Sequence, residues 1–544
     1  MKEAHYKLAD CYFGYLAERF PVMCASDEFH FLPRAQRASN YYDRMESFAA
    51  PAIKECVSVL KSFKRDFKKR ARKEKDLESR IDLELLQANA SGILLELETH
   101  QIWRHNPLLY LKIAFIGLDQ SLSKPFLDQK DRVERTLCRL SAVSRLLKEG
   151  MDNIDGVAES HHNAASAMVE DCRDYLHQMA IILNRLGARA YDAYLKDALS
   201  GLDLFGRFLK SVHTLPDRKF STSSIEQILN NHFLCPRGLD EVYEIAVEEW
   251  NDMLKRLEKL RLQIDSSKSW QDLYHSYMPQ GLGESDIICL YRKEINRICR
   301  FFSAAGLCED AYCKTVELVE TPVYLRSVRS PASFAASLTA DEKEKSLFYI
   351  TTHVEGKTAT RLLSRRFHRE HKFLISHETV PGHHMLDSIR RRLENPVRRQ
   401  VESALFYEGW ASYAEWLLFE YEYLQSPMEY LVHYKRRLWR AARCRIDAGL
   451  PRGLLTENTA VCLLTTCGFS KQEAIRQIDR FRLNPGYQLC YYLGSYEFRM
   501  LKKAYSNRMD SNSFYKIVLS GGELPFHLID QTLNARLFKR NTRG

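Results

Sequence analysis

The stretch Lys372–Arg392, KFLISHETVPGHHMLDSIRRR, decides how the rest of the chain is read. Its apolar residues recur at helical spacing, His377 is followed at once by Glu378, and His383 and His384 come after a Pro-Gly step. A His-Glu pair on a helix, with a further imidazole on the same face, is the arrangement of zinc hydrolases. Two imidazoles hold the ion and the adjacent carboxylate stands beside the water that it activates.

The second histidine of that arrangement normally stands four residues after the first, a position held here by Pro381. Proline cannot donate its backbone bond and crowds the preceding turn, so a kink or bulge is expected there, with Gly382 free to absorb extra residues. Two inserted residues return His383 to the ligand position; three return His384. On a straight helix His384 shares the face of His377 but lies about 10 Å further along, too far to share one ion. The spacing favours His383 and leaves His384 open.

Working outward, Phe406–Trp416 reads FYEGWASYAEW. A helix carrying Glu408 supplies a third ligand, completing two His and one Glu with an open position. Glu415, seven residues on and on nearly the same helical face, is placed to orient a ligand imidazole. His-Glu pairs arise by chance in long chains; the combined pattern HExxPGHH and EGWAxYxE is far harder to reach that way.

The 544 residues are long enough for a large core, with 45% hydrophobic and 28% charged residues, a globular balance. Most segments show helical spacing. Ala50 to Leu97 carries a basic run (KSFKRDFKKRARKEK) followed by an acidic one, and reads as a solvated helix face rather than a nucleic-acid patch. Between Val316 and Val354 the composition turns β-branched and aromatic, predicting a small sheet of two to four strands, with the strand at Ser346–Val354 offering an edge to an extended peptide. The expected fold class is mainly α: a large multi-helix architecture with a small sheet next to the metal-binding helices, divided near residue 265 into an N-terminal helical region (1–265) and a catalytic region (266–544). Fourteen cysteines without a CxxC pair favour a reduced, cytoplasmic setting. Neither a secretory leader nor a membrane span is expected, and the net charge of +10 identifies no partner. Oligomeric state is not legible.

HExxPGHH followed by EGWAxYxE resembles the domain of unknown function 885 family, a group of helical proteins similar to gluzincin metallopeptidases. EGWASY is also similar to the NEGFASY segment of aminopeptidase-type gluzincins. The resemblance implies a zincin-like catalytic region with Zn2+ as cofactor, Glu408 as third ligand and Glu378 as general base. It extends to RAARCRIDAGL (Arg440–Leu450) and DRFRLNPGYQLCYYLG (Asp479–Gly494), where alignment on Pro485, Gly486 and Gly494 puts the family tyrosine at Tyr491. Two departures, Pro451 and Tyr487 where the family often has His and Gln, are expected to alter substrate pockets without touching the metal.

The mechanism expected from these residues is hydrolysis of a peptide or small amide by metal-activated water, with Glu378 moving the proton, Tyr491 donating to the oxyanion, and Arg440 and Arg443 holding a substrate carboxylate. Two rivals share the pattern. A non-haem iron oxygenase uses two His and one carboxylate, but has no need of a base directly after the first His. A non-catalytic helical scaffold with a structural metal has no need of an open coordination position.

Overall fold

The helical pattern from Ala50 to Leu97 is broken in two, Ala50–Ala71 and Leu77–Leu94, in a computed structural model that describes residues 2–217, 221–279, 287–341, 343–352 and 357–541. The break falls where the basic run meets the acidic one, because Asp76 caps the second helix by accepting from the Ser79 N–H at 3.0 Å. Most of the basic side chains between Lys61 and Lys75 face solvent. The protein is mainly α throughout, and no helix among the described residues is long and apolar enough to cross a membrane.

Strands are few and short. β1 (Val157–Ala158) and β2 (Thr214–Leu215) form a two-residue parallel pair in the N-terminal region, which the sequence reading did not anticipate. The predicted small sheet is three-stranded: β3 (Val316–Glu320), β4 (Ala332–Ala335) and β5 (Ser346–Ile350), in the order β3-β5-β4. β3 stops before Pro322, which has no N–H for the ladder, and the chain turns through a buried 3-10 turn at Val323–Leu325. β5 pairs with β3 in parallel and with β4 antiparallel, Phe334 opposite Phe348. The expectation that Ser346–Val354 offers an edge is therefore corrected: β5 is the central strand, both of its edges are taken, and β4 is the edge strand that lines the cavity described below. Residues 353 and 354 of that predicted strand lie outside the described residues.

The apolar interior is one cluster running from Ala9 to Leu533 and crosses residue 265 without interruption. The helix Leu239–Ile264 packs along Pro427–Gly449, and a buried ion pair between Asp82 and Arg398 (2.9 Å) ties the helix Leu77–Leu94 to the helix Pro396–Gln400. Among the described residues Cys299 is disulfide-bonded.

Five helices position the candidate site: Lys357–Glu378, His383–Arg390, Ala404–Glu420, Pro427–Gly449 and Gln488–Tyr505. From Phe367 to Ser388 the first two are buried on every side. A helix so enclosed has to partner its charges, and it does: Lys372 pairs with Glu429, and Glu370 receives Lys435 (3.1 Å) and Arg436.

Candidate metal centre

The helix that carries His377 ends at Glu378 and a new one begins at His383, so the Pro-Gly step produces a full break rather than a kink. Gly382 is required there. A Cβ on it would stand 2.0 Å from the His377 carbonyl oxygen and 2.3 Å from that of Ser376. Two bonds hold the break against the Glu408 helix: the Trp410 indole donates to the Pro381 carbonyl (2.8 Å) and the Ser376 hydroxyl to the Ala414 carbonyl (2.9 Å). As a result the His377 and His383 rings meet edge to face with centroids 4.8 Å apart.

Of the two histidines left open by the spacing, His383 faces the centre and His384 does not. His384 Nε2 lies 2.7 Å from the Tyr312 carbonyl and 3.0 Å from the Thr315 hydroxyl. Burial lowers its pKa to about 4, so it is a neutral imidazole donating Nε2–H to that carbonyl, with no lone pair left on this nitrogen for an ion. As a ligand candidate His384 is set aside.

Glu408 reaches the pair from the Ala404–Glu420 helix. Its Oε2 stands 3.5 Å from His377 Nε2 and 3.5 Å from His383 Nε2, is buried, and accepts no hydrogen bond among the described residues. An ion about 2.0–2.1 Å from each ligand with tetrahedral angles sets ligand atoms about 3.3 Å apart. The two separations from Glu408 are close to that figure, so Glu408 and the two imidazoles could hold a zinc-sized ion; the cluster whose ligand atoms all lie within 4.8 Å of one another is His377, Glu378 and His383. Glu378 is close as well, within 4.8 Å of both imidazoles, but Glu408 has the shorter separations and the oxygen without a donor.

What brings Glu408 there is a helix crossing. A Cβ on Gly409 would lie 2.5 Å from Gly494 Cα, and one on Gly494 would lie 2.1 Å from the Leu405 carbonyl oxygen. The helices Ala404–Glu420 and Gln488–Tyr505 thus touch backbone to backbone. The same crossing presents Tyr487 to Glu408, whose Oε1 accepts the Tyr487 hydroxyl. This corrects the expectation for Tyr487, which touches a candidate ligand directly. Its stacking on His30 at 4.5 Å joins the N-terminal region to the centre.

Behind His377, Glu415 Oε1 lies 3.1 Å from Nδ1. With an ion bound, the one remaining proton of His377 would sit on Nδ1 towards this carboxylate and leave Nε2 to face Glu408 and His383. Arg436 donates to both Glu415 oxygens (2.7 and 2.8 Å) and also to Glu370. Arg440 donates to Glu415 as well, with its Nη2 3.2 Å from His377 Nδ1. Arg440 is therefore engaged behind the imidazole, which departs from the expected role of gripping a substrate. Burial alone would lower the pKa of His377, but Glu408 and Glu415 outweigh it and raise it to about 9. Burial likewise disfavours the charged form of Glu408, yet His377 and His383 hold its carboxyl well below the usual range.

Glu378 is buried, and the loss of water raises its pKa against the pull of His377 and His383. Tyr491 lies nearly parallel to His377, 14° between planes and 6.2 Å between centroids, and burial followed by Glu408 keeps its phenol protonated. The Arg443 guanidinium sits 3.7 Å from the Tyr491 ring centre and donates to Gln488 Oε1. All of these face a cavity of 690 Å³ whose far wall is built by the N-terminal region, Asp27–Phe31 and His232 among others.

Gly409 and the supporting Arg436 were not singled out by sequence reading, which named Tyr487 only as a pocket residue and Gly494 only as a point of alignment. The glycines carry a signal only in hindsight, because a glycine in a helix interior is costly unless something approaches closely.

The fold and site thus define a mainly helical protein with a buried cluster of two histidines and two glutamates. The chain belongs to the bacterial proteins of unknown function designated DUF885, whose family model matches residues 33–533. Among solved structures it is similar to "a putative lipoprotein of unknown function" from Shewanella oneidensis, with a TM-score of 0.70 and 18% identity over 90% of this chain and 94% of that one. It is also similar to "the putative lipoprotein" from Colwellia psychrerythraea, with a TM-score of 0.76 and 15% identity over 99% of both chains. At these identities the likeness establishes a shared fold. No curated protein matches the chain.

Proposed function

We propose that this protein is a zinc-dependent hydrolase of peptide or amide bonds in short peptides or small amide metabolites. The observation that carries the reading is the Glu408 oxygen without a donor, 3.5 Å from two imidazole nitrogens in a buried setting. Leaving such an oxygen unpaired is costly, and a cation between the three side chains removes the cost. Zinc held by His377, His383 and Glu408 supplies a Lewis acid that polarises a carbonyl and acidifies water.

The chain's own residues do the rest. Glu378, its pKa raised by burial, accepts a proton from the attacking water and returns it to the leaving nitrogen; a carboxylate moved towards neutrality is matched to both tasks. The Tyr491 phenol, kept protonated, donates to the carbonyl oxygen as it gains charge. Glu415, fixed by Arg436 and Arg440, holds the His377 tautomer. The cavity between the two regions suits a substrate of a few residues rather than a folded protein.

The test is metal analysis of the full chain together with a screen of dipeptides, short peptides and acyl-amino acids, using wild type and Glu378→Gln. Stoichiometric zinc in both, with turnover only in the wild type and lost to a chelator, is the expected result. Bound ferrous iron with oxygen uptake, or equal turnover by Glu378→Gln, would overturn it.

A further inference from the structure

The two walls of the cavity differ in how their charges are satisfied. On the N-terminal side Glu28 and Asp27 are already paired. Glu28 receives Lys112 at 3.0 Å and Arg329 at 3.2 Å, and Asp27 accepts from the Ala336 N–H at 3.0 Å with Arg329 at 3.8 Å. On the opposite wall the bases outnumber their partners. Glu370 and Glu415 are shared among Arg366, Lys435, Arg436 and Arg440, two carboxylates for four cations.

Beyond them stand two guanidinium groups with no carboxylate at all. Arg443 is buried, held between the rings of Tyr491 (3.7 Å) and Trp439 (5.1 Å), and its hydrogen bonds go to the neutral amide of Gln488. Asp447, one turn along, is no partner for it, because both Asp447 oxygens accept backbone N–H groups, from Gly486 (3.0 Å) and Leu489 (3.1 Å). Arg480 lines the same cavity and makes no hydrogen bond or ion pair among the described residues. Arg443 and Arg366 are near enough to oppose its charge, and Glu28, the acid that favours it, is already paired. Surplus positive charge in a desolvated wall is unfavourable unless an anion arrives with the ligand.

We propose that Arg443 and Arg480 receive the free α-carboxylate of a peptide substrate, so that the enzyme cleaves close to the C-terminal end. This rests on the hydrolase reading above. Tyr491 sets the scale: separations of 6.2 Å to His377 and 3.7 Å to the Arg443 guanidinium put that guanidinium within about 10 Å of the imidazole. An extended residue spans about 3.3–3.6 Å, so the released fragment is at most about three residues long. Across the cavity Glu28 and Asp27 are already paired, so neither is free to read an α-amino group.

The experiment compares one tripeptide and one tetrapeptide as free acid, as C-terminal amide and as N-acetyl acid, with products identified by mass spectrometry. Binding of the same peptides to Glu378→Gln is measured in parallel by calorimetry. A charge-assisted pair predicts kcat/KM about 10- to 100-fold higher for the acid than the amide, with N-acetylation tolerated. Arg480→Gln, at a site that solvent reaches, removes most of that preference, and Arg480→Lys keeps most of it. Equal rates on acid and amide, or an unchanged ratio in Arg480→Gln, would overturn the proposal while leaving hydrolysis intact. Absence of turnover, with acid still bound over amide in an Arg480-dependent way, would instead sink the hydrolase reading and support the carboxylate site.

Discussion

Gly409 and Gly494 meet backbone to backbone, so closely that a Cβ on Gly409 would lie 2.5 Å from Gly494 Cα. Two consequences follow from one contact: Glu408, beside the first glycine, faces the histidines, and Tyr487 and Tyr491, on the turns before the second, face Glu408 and His377. Gly494→Ala has to push the helices apart, at a cost of about 1–3 kcal/mol or more. The thermal midpoint and the zinc affinity are expected to fall together. A variant that melts and binds zinc like wild type would show that the crossing does not position Glu408.

Replacing each of the adjacent histidines separates ligand from scaffold. His383→Ala removes a nitrogen 3.5 Å from Glu408 and is expected to abolish stoichiometric zinc. His384→Ala removes a donor to the Tyr312 carbonyl and leaves a small void, costing about 1–3 kcal/mol of stability while zinc content is retained. Metal analysis of both, with circular dichroism to confirm folding, reads the difference directly. Loss of zinc from the His384 variant alone would reverse the assignment.

The two tyrosines should divide by observable. Tyr487→Phe deletes the hydrogen bond to Glu408 and is predicted to weaken zinc binding about 10- to 100-fold. Tyr491→Phe removes a donor on the cavity side and is predicted to lower kcat about 100-fold with zinc affinity unaltered. Competition with a calibrated chelator measures the first, steady-state kinetics the second. If Tyr491→Phe turned over at the wild-type rate, its donor role would be lost.

Glu344 is a source of acid sensitivity away from the site. Burial would raise the pKa of Glu344, but Lys124 at 2.6 Å and the backbone N–H groups of Leu338 and Thr339 lower it to about 2. A depressed carboxyl stabilises the fold above its unfolded pKa, and that contribution disappears as pH falls through the folded value. The stability gap between wild type and Glu344→Gln, on the order of 3 kcal/mol at pH 7, is expected to shrink by more than half at pH 3. Denaturant titrations at the two pH values test it; a gap independent of pH would assign the stabilisation to something other than the ionised carboxylate.

The sequence by itself determined the helical character, the place of the small sheet, and the segments that build the centre. Those are local properties: apolar spacing sets helices, β-branched runs bounded by proline set strands, and a Pro-Gly step has to interrupt a helix whatever surrounds it. His377, Glu378, Glu408 and Glu415 were legible because their spacing follows the helical repeat. Tertiary structure alone decided which imidazole turns inward, since His383 and His384 are neighbours in the chain and only Glu408 on one side and the Tyr312 carbonyl on the other tell them apart. It also decided which arginines are free. Arg440 and Arg443 look alike along the helix, and packing hands one to Glu415 while leaving the other beside Arg480 without a carboxylate. Charge pairing depends on what other helices bring within a few ångströms, and no periodicity in the chain encodes that.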